Sequence, residues 1–425
     1  MSSSKAKITS DREFVWKEKV LGELNKGDVD HNFHNKIEDV FITIEDGLSH
    51  SSVEVSSWNT AASNDWKISA EFDVLDEKKS NQTILETLLN GADTIYVSSS
   101  KSSLDWDVLF EEIEFQYIQI FISIADQKLF TSFKSWYKHQ ENITVLINFM
   151  SFNNPAEFIH TIASSQVPIK IVADGFSLQQ CGANAKQELA FILNNLHESI
   201  LLLGEHKNIG FQFHVGIGAN FMIEIAKFRA LKSLANSVLH AYGVPTNSFE
   251  IVGIIGWTNK SLKDSTTNQL RQTTEALSAV IGGVDYLQIH PFDSQSKNGA
   301  TSFSQRMALN ISSILKEESY LKLVKDAYRG SHYVENLTEK IGDDAWKIFK
   351  QLASFNEFIS SEKIDFIAGM VRETTKLRHE EFIEKERKMI GMNVFQDLDP
   401  NAKEWKEEKT FLGLNTFRYD KIEMR

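Results

Sequence analysis

Few residues in this chain are spaced for chemistry, and each set has an ordinary structural alternative. Asp28, Asp30, His31 and His34 crowd into DVDHNFH. Imidazole and carboxylate suit zinc, but the two histidines match no zinc spacing and no Glu stands between them as in HExxH, so a solvated turn is the default. Gly216-Ile217-Gly218 begins like a phosphate-binding GxGxxG, yet Phe221 takes the third glycine's place; a tight turn after a strand is the simpler reading. No GxSxG occurs, and the single cysteine, Cys181, has no base beside it, which reads as a small buried residue. His290 and Asp293 are spaced to act as a base and its orienter, although His290-Pro291 equally turns the chain.

The elements that must hold these residues follow a regular pattern. Short apolar runs recur from about residue 85: Thr94–Val97, Ile118–Ile122, Val145–Asn148, Ile169–Val172, Ile200–Leu203, Phe211–Val215, Ile251–Ile255 and Tyr286–Ile289. Helical periodicity lies between them, at Thr83–Asn90, Ala185–Leu196, Ile223–Tyr242 and Asn268–Gly282. Fully apolar strands alternating with helices predict a parallel sheet covered on both faces, and eight units predict a (β/α)8 TIM barrel. The expected organisation is an N-terminal arm over 1–84, a barrel over 85–330, and a C-terminal helical extension and tail over 331–425. The arm carries an amphipathic helix at 12–25 and short edge strands, Ile68–Phe72 among them. After residue 300 the chain reads as mainly helical, at Phe303–Tyr320, Val334–Phe358 and Glu362–Lys388, and residues 402–425 read as an extended tail packed on a partner. In a barrel the chemistry sits at the C-terminal strand ends. The candidates are therefore Asp174, Phe176, Ser177 and Gln179, then Glu205 and His206, His214, Trp257 and Asn259, and His290 and Asp293.

Composition narrows the function. Of 425 residues, 45 are Lys or Arg and 58 Asp or Glu, a net charge of -13. This disfavours a nucleic-acid binder. No apolar run is long enough for a membrane span or a signal sequence, and one cysteine allows no intrachain disulfide; the expectation is a cytoplasmic protein.

Six ordered segments resemble the methylmalonyl-CoA mutase family: ADGFSLQQCGANAKQELAFIL (173–193), GIGANFMIEIAKFRALKSL (216–234), DYLQIHPFD (285–293), SQRMALNISSILKEES (304–319), DAYRGSHYVENLTEKIGDDAWKIFKQL (326–352) and MIGMNVF (389–395). The resemblance implies a barrel that shields a radical isomerisation of methylmalonyl-CoA to succinyl-CoA, with adenosylcobalamin supplying the radical and the CoA tail threading the barrel axis. The family's Tyr-His falls on Phe176-Ser177, so the histidine that bonds the thioester carbonyl is a serine here. Loss of a placed general acid costs on the order of 10²–10⁴ in rate. The family's cobalamin motif, Asp-x-His-x-x-Gly, occurs nowhere, and no cobalamin-binding domain is expected in this chain. WKEKVLGELNKG (16–27) and HPF (290–292) resemble the small subunit of the heterodimeric mutases. The expectation is a non-catalytic small subunit, with adenosylcobalamin held by a large partner subunit and no cofactor-binding or metal residue in this chain. Two alternatives stand beside it. One is an active acyl-CoA mutase barrel using a separate B12-binding protein; the other is new chemistry at Asp174, Ser177, His214 or His290.

Overall fold

In the computed structural model, residues 35–37, 40–42 and 63–422 are described, apart from 139, 153–154, 164, 207–208, 247, 356–359, 397–403 and 407–409. The expected helix at 12–25 and the Asp28–His34 cluster lie outside the described residues.

Eight parallel strands close into a barrel: β1 (Lys67–Asp73), β2 (Thr94–Ser98), β3 (Gln119–Ile124), β4 (Ile143–Ile147), β5 (Ile169–Asp174), β6 (Gly210–Ile217), β7 (Phe249–Ile255) and β8 (Tyr286–Ile289), with β8 bonded to β1. Helices alternate with them. α1 is Glu77–Leu89, α2 Gln127–Trp136, α3 Pro155–Ala163, α4 Ala185–Leu203, α5 Phe221–Ala241, α6 Thr267–Gly282 and α7 Ser302–Ser313; the turn Trp106–Leu109 takes the helix position after β2. This is the expected (β/α)8 TIM barrel. Beyond it, α8 (His332–Leu352) packs on α4 and α5, and α9 (Ser361–Ile383) follows. A short antiparallel ribbon, Asn35–Ile37 with Val40–Ile42, lies against α8.

Two strand expectations need correction. Ile68–Phe72 belongs to barrel strand β1 rather than to an edge strand of an arm. Ile200–Leu203 is the last turn of α4, not a strand. α4 is covered by the barrel inside and by α5 and α8 outside, so it shows no continuous polar stripe and its end looks like a buried strand.

Caps set the starts of the long helices. Asn184 accepts from the Gln187 amide in a capping box before α4, and Asn220 accepts from Ile223 before α5. Buried ion pairs tie the helices together. Arg229 on α5 reaches Glu335 (2.7 Å) and Asp326 (3.2 Å), Lys363 on α9 reaches Glu198 on α4 (2.7 Å), and Lys260 meets Glu275 (2.7 Å).

Residues 402–425 were expected to pack on a partner; the described part packs on this chain's own barrel. The Phe417 amide donates to the Gln180 carbonyl (2.8 Å), that of Tyr419 to Thr258 (3.1 Å), and Asp420 accepts from Trp405 Nε1 (2.9 Å) and the Leu262 amide (3.4 Å). This strap crosses the loops that follow β5 and β7.

Candidate functional site

The inner face of the barrel divides into an aromatic side and a polar side. Tyr96, Phe121 and Tyr286 come from β2, β3 and β8 and pack ring to ring, with centroids 4.8 Å (Tyr96–Phe121), 5.3 Å (Phe121–Tyr286) and 6.3 Å (Tyr96–Tyr286) apart. Leu146, Val172, Val252 and Ile254 complete this cluster, and all seven residues are buried. Opposite them a polar chain climbs the axis. Lys170 pairs with Glu250 (2.5 Å), Gln212 Nε2 donates to Glu250 (3.2 Å), and His214 Nε2 meets Gln212 Oε1 (3.0 Å). Burial holds the half-buried His214 below the usual imidazole range, against the pull of the Asp174 and Glu71 carboxylates, so it is neutral at pH 7.

Above this fill lies the mouth. Asp174 ends β5, and its carboxylate takes the Ser177 hydroxyl (2.5 Å) and the Ser177 amide (3.1 Å). Ser177 is thus an Asx-bound helix start facing a carboxylate. Glu71 on β1 accepts from Gln288 Nε2 (2.8 Å), and His290 Nε2 stands 3.9 Å from it. The His290 ring sits near those of Trp257 (5.4 Å) and Phe176 (6.2 Å). The Glu71 side chain is 43% exposed, so the mouth is open to water above the aromatic layer.

The structure therefore brings Asp174, Phe176, Ser177, His214 and His290 to one end of the barrel. Gln179 lies beside them, folded over β6. Its side chain occupies the space where a Cβ on Gly216 would fall (2.6 Å), and the Glu224 carboxylate that of a Cβ on Gly218 (2.9 Å), which is why those two positions are glycine. The GIG run serves packing. Asp293 is buried and accepts from Thr301 Oγ1 (3.2 Å), and His290 Nε2 stands 3.9 Å from Glu71. Glu205 and His206 follow the end of α4, at the opposite end of the barrel from the mouth. Asn259 is buried against Glu275 (2.6 Å). Cys181 is buried, its thiol pushed up to about 11 by burial, and Sγ points at the Leu414 carbonyl (3.8 Å), a packing role. No group of three or more metal-ligating side chains occurs among the described residues. Sequence reasoning missed Glu71, whose only signal was a polar residue alternating with Ile68 and Ala70 in KISAEFD.

Behind β6 stands a buried ion triad. Glu188 accepts from the Gly216 amide (2.6 Å) and from Lys227 Nζ (2.9 Å), and Lys227 also meets Glu224 (2.6 Å). One ammonium serves two carboxylates. Lys227 stays charged despite its burial because both carboxylates attract it, whereas burial pushes Glu188 up to about 7. The pairing of Glu224 with Lys227 was legible at i,i+3, but it lies inside the molecule rather than on an exposed flank.

Residues 148–413 match the methylmalonyl-CoA mutase family. The chain belongs to that family. Its relatives include the methylmalonyl-CoA mutase small subunit of Porphyromonas gingivalis, 32% identical over 250 residues, which are 56% of this chain and 39% of that protein. The probable small subunit of Mycobacterium tuberculosis is 29% identical over 244 residues, 55% of this chain and 39% of that one. The methylmalonyl-CoA mutase of Rhizobium meliloti is 28% identical over 235 residues, 53% and 33% of the two chains. The match thus spans about two fifths or less of the length of these relatives. Among the described residues no helix is long and apolar enough to cross a membrane.

Proposed function

We propose that this chain is the small-subunit-type barrel of a coenzyme B12-dependent methylmalonyl-CoA mutase, non-catalytic itself and supporting a large subunit that carries adenosylcobalamin. The observation that carries the reading is the filled axis. A CoA tail threading the barrel needs an open bore, and here the buried rings of Tyr96, Phe121 and Tyr286 pack together inside it with Leu146, Val172 and Val252.

Three further features agree. Ser177 stands where the family histidine would, and its hydroxyl is committed to Asp174. The mouth presents two carboxylates, Glu71 and Asp174, beside a neutral His214, a poor field for the anionic acyl group of methylmalonyl-CoA. The residues do not fit a resident cobalamin either. His214 is held on Gln212 below the rim, and His290 is packed beside Trp257 and Phe176 and turned toward Glu71, so neither imidazole is placed to hold the cofactor. The names of the relatives from Porphyromonas gingivalis and Mycobacterium tuberculosis support the small-subunit assignment and a large partner.

The test is turnover by the purified chain with adenosylcobalamin and methylmalonyl-CoA. The reading expects no succinyl-CoA above the protein-free blank. Saturable turnover proportional to the chain's concentration would overturn it. Turnover that appears only on adding a small cobalamin-binding protein would favour an active barrel served by a separate B12 carrier.

A further inference from the structure

One unit of the barrel lacks a full helix. A single turn, Trp106–Leu109, follows β2, where the other seven units carry helices of 9 to 21 residues. The shortfall leaves aromatic side chains of α2 and of the loop before β3 part-exposed. Trp136, at the end of α2, packs on Phe110 (5.5 Å) and Phe115 (6.2 Å) and stays half-buried. On the turn that starts at Phe115, Tyr117 is 75% exposed. Two adjoining hollows open here. They lie at the end of the barrel away from the mouth, since their loops lead into β3 and β4. A slot of about 200 Å³ is walled by Trp106, Phe110, Phe115 and Trp136. A cup of about 490 Å³ lies beside it, among the exposed Glu112, Glu114 and Glu141, and shares Phe115 and Gln140 with the slot.

The two hollows are lined by four carboxylates, Asp107, Glu112, Glu114 and Glu141, against one cation, Lys138. Residues 105–117 carry five carboxylates and no Lys or Arg. Neutral donors hold two of the lining carboxylates and leave their charge in place. Trp136 Nε1 donates to Asp107 (2.7 Å) and Gln116 Nε2 to Glu114 (2.9 Å). The loops around the cup are tied to each other. Asn142 Nδ2 donates to the Phe115 carbonyl (3.1 Å), Gln119 Nε2 to the Asn142 carbonyl (2.9 Å), and the Lys138 amide to Gln140 Oε1 (2.7 Å). A fixed acidic cup beside an aromatic wall suits a guanidinium or an ammonium. Carboxylates accept its N–H groups, and ring faces attract its charge.

We propose that these hollows dock a basic peptide segment of another protein, with an arginine or lysine in the cup and an apolar neighbour in the slot. Charge complementarity sets the sign of the partner. The shared wall between an acidic and an apolar hollow selects a peptide over a free amine, because two side chains of different character must arrive on one backbone. The site is separate from the mouth and does not depend on the barrel's catalytic status.

The experiment is calorimetric titration of the full chain with a capped hexapeptide alternating arginine and leucine. The controls are its glutamate–leucine counterpart and spermine, at equal ionic strength. The arginine peptide is expected to bind saturably and more tightly than spermine, and the glutamate peptide not to bind. Reversing two exposed charges together, Glu112→Lys with Glu141→Lys, is expected to weaken the arginine peptide on the order of 10-fold. Trp136→Ala is expected to weaken it on the order of 5-fold. Glu373→Lys, an equally exposed change on α9, is expected to leave it unchanged. If the Trp136 variant fails to fold, the surface pair Glu112 and Glu141 still decides the matter. Three results would each overturn the proposal: no saturable binding of the arginine peptide, spermine bound as tightly as the peptide, or the same loss in the Glu373 variant as in the Glu112 and Glu141 variant.

Discussion

Replacing Lys227 by methionine removes a cation that two buried carboxylates share. Glu188 and Lys227 have side-chain exposures of 0% and 1%, and Glu224 of 5%, so no solvent compensates. Breaking a buried pair by deleting one partner costs about 3–5 kcal/mol. The cost should depend on pH, because the stranded carboxylates can protonate. In the variant, the folded pKa of Glu188 rises further above its ordinary value, so the folded chain binds more protons than the unfolded one above about pH 4.5. Stability is therefore lost as pH rises through that window, at about 1.4 kcal/mol per pH unit for one proton. Between pH 6 and 8 the variant should lose up to about 3 kcal/mol through this one group. Wild-type Glu188, at about 7, titrates within the same interval and loses less. The gap between the two proteins should thus shrink by on the order of 1 kcal/mol on going from pH 8 to pH 6. Urea unfolding at both pH values measures it. Adding Glu188→Gln to the variant should recover about 1–2 kcal/mol at pH 8, since glutamine still accepts from the Gly216 amide. A loss under about 1 kcal/mol at pH 8, or a gap that fails to narrow at pH 6, would refute the account of the triad.

Three other perturbations follow from the same contacts. Phe121→Ala should cost about 3–5 kcal/mol in urea unfolding, because the ring is fully buried between Tyr96 and Tyr286. Gly256→Ala places a Cβ 1.9 Å from the Gln180 amide, which itself bonds Gln179 (2.5 Å) and the Trp257 amide (2.8 Å); overpacking of about 1–3 kcal/mol should appear as a lowered Tm. Asp420→Ala removes the acceptor for Trp405 and for the Leu262 amide, and should speed proteolysis within residues 404–422 while leaving the barrel's unfolding midpoint nearly unchanged.

How much of this was legible depended on where polarity faces. β4, with all five residues buried, reads as a strand from sequence alone, because both of its faces meet apolar neighbours. β1 does not. Its inner face carries the polar Ser69 and, at the mouth, the exposed Glu71, so KISAEFD alternates like an edge strand and hides both the first barrel strand and a mouth carboxylate. α4 errs the other way, since burial on nearly all sides removes the polar face that marks a helix end. The position of Ser177 was readable because the family segment fixes its place after β5; its bond to Asp174 follows from the i,i+3 spacing at a helix start. The strap was not readable. Leu414–Asp420 is a mixed polar and aromatic segment whose partners, Gln180, Thr258 and Leu262, lie more than 150 positions away in the chain.

The central claim is most directly tested by tagging this chain in its own host and identifying what purifies with it. The account predicts a stoichiometric large mutase subunit carrying cobalamin. Recovery of the chain by itself, as a monomer or homodimer with no such subunit, would contradict it.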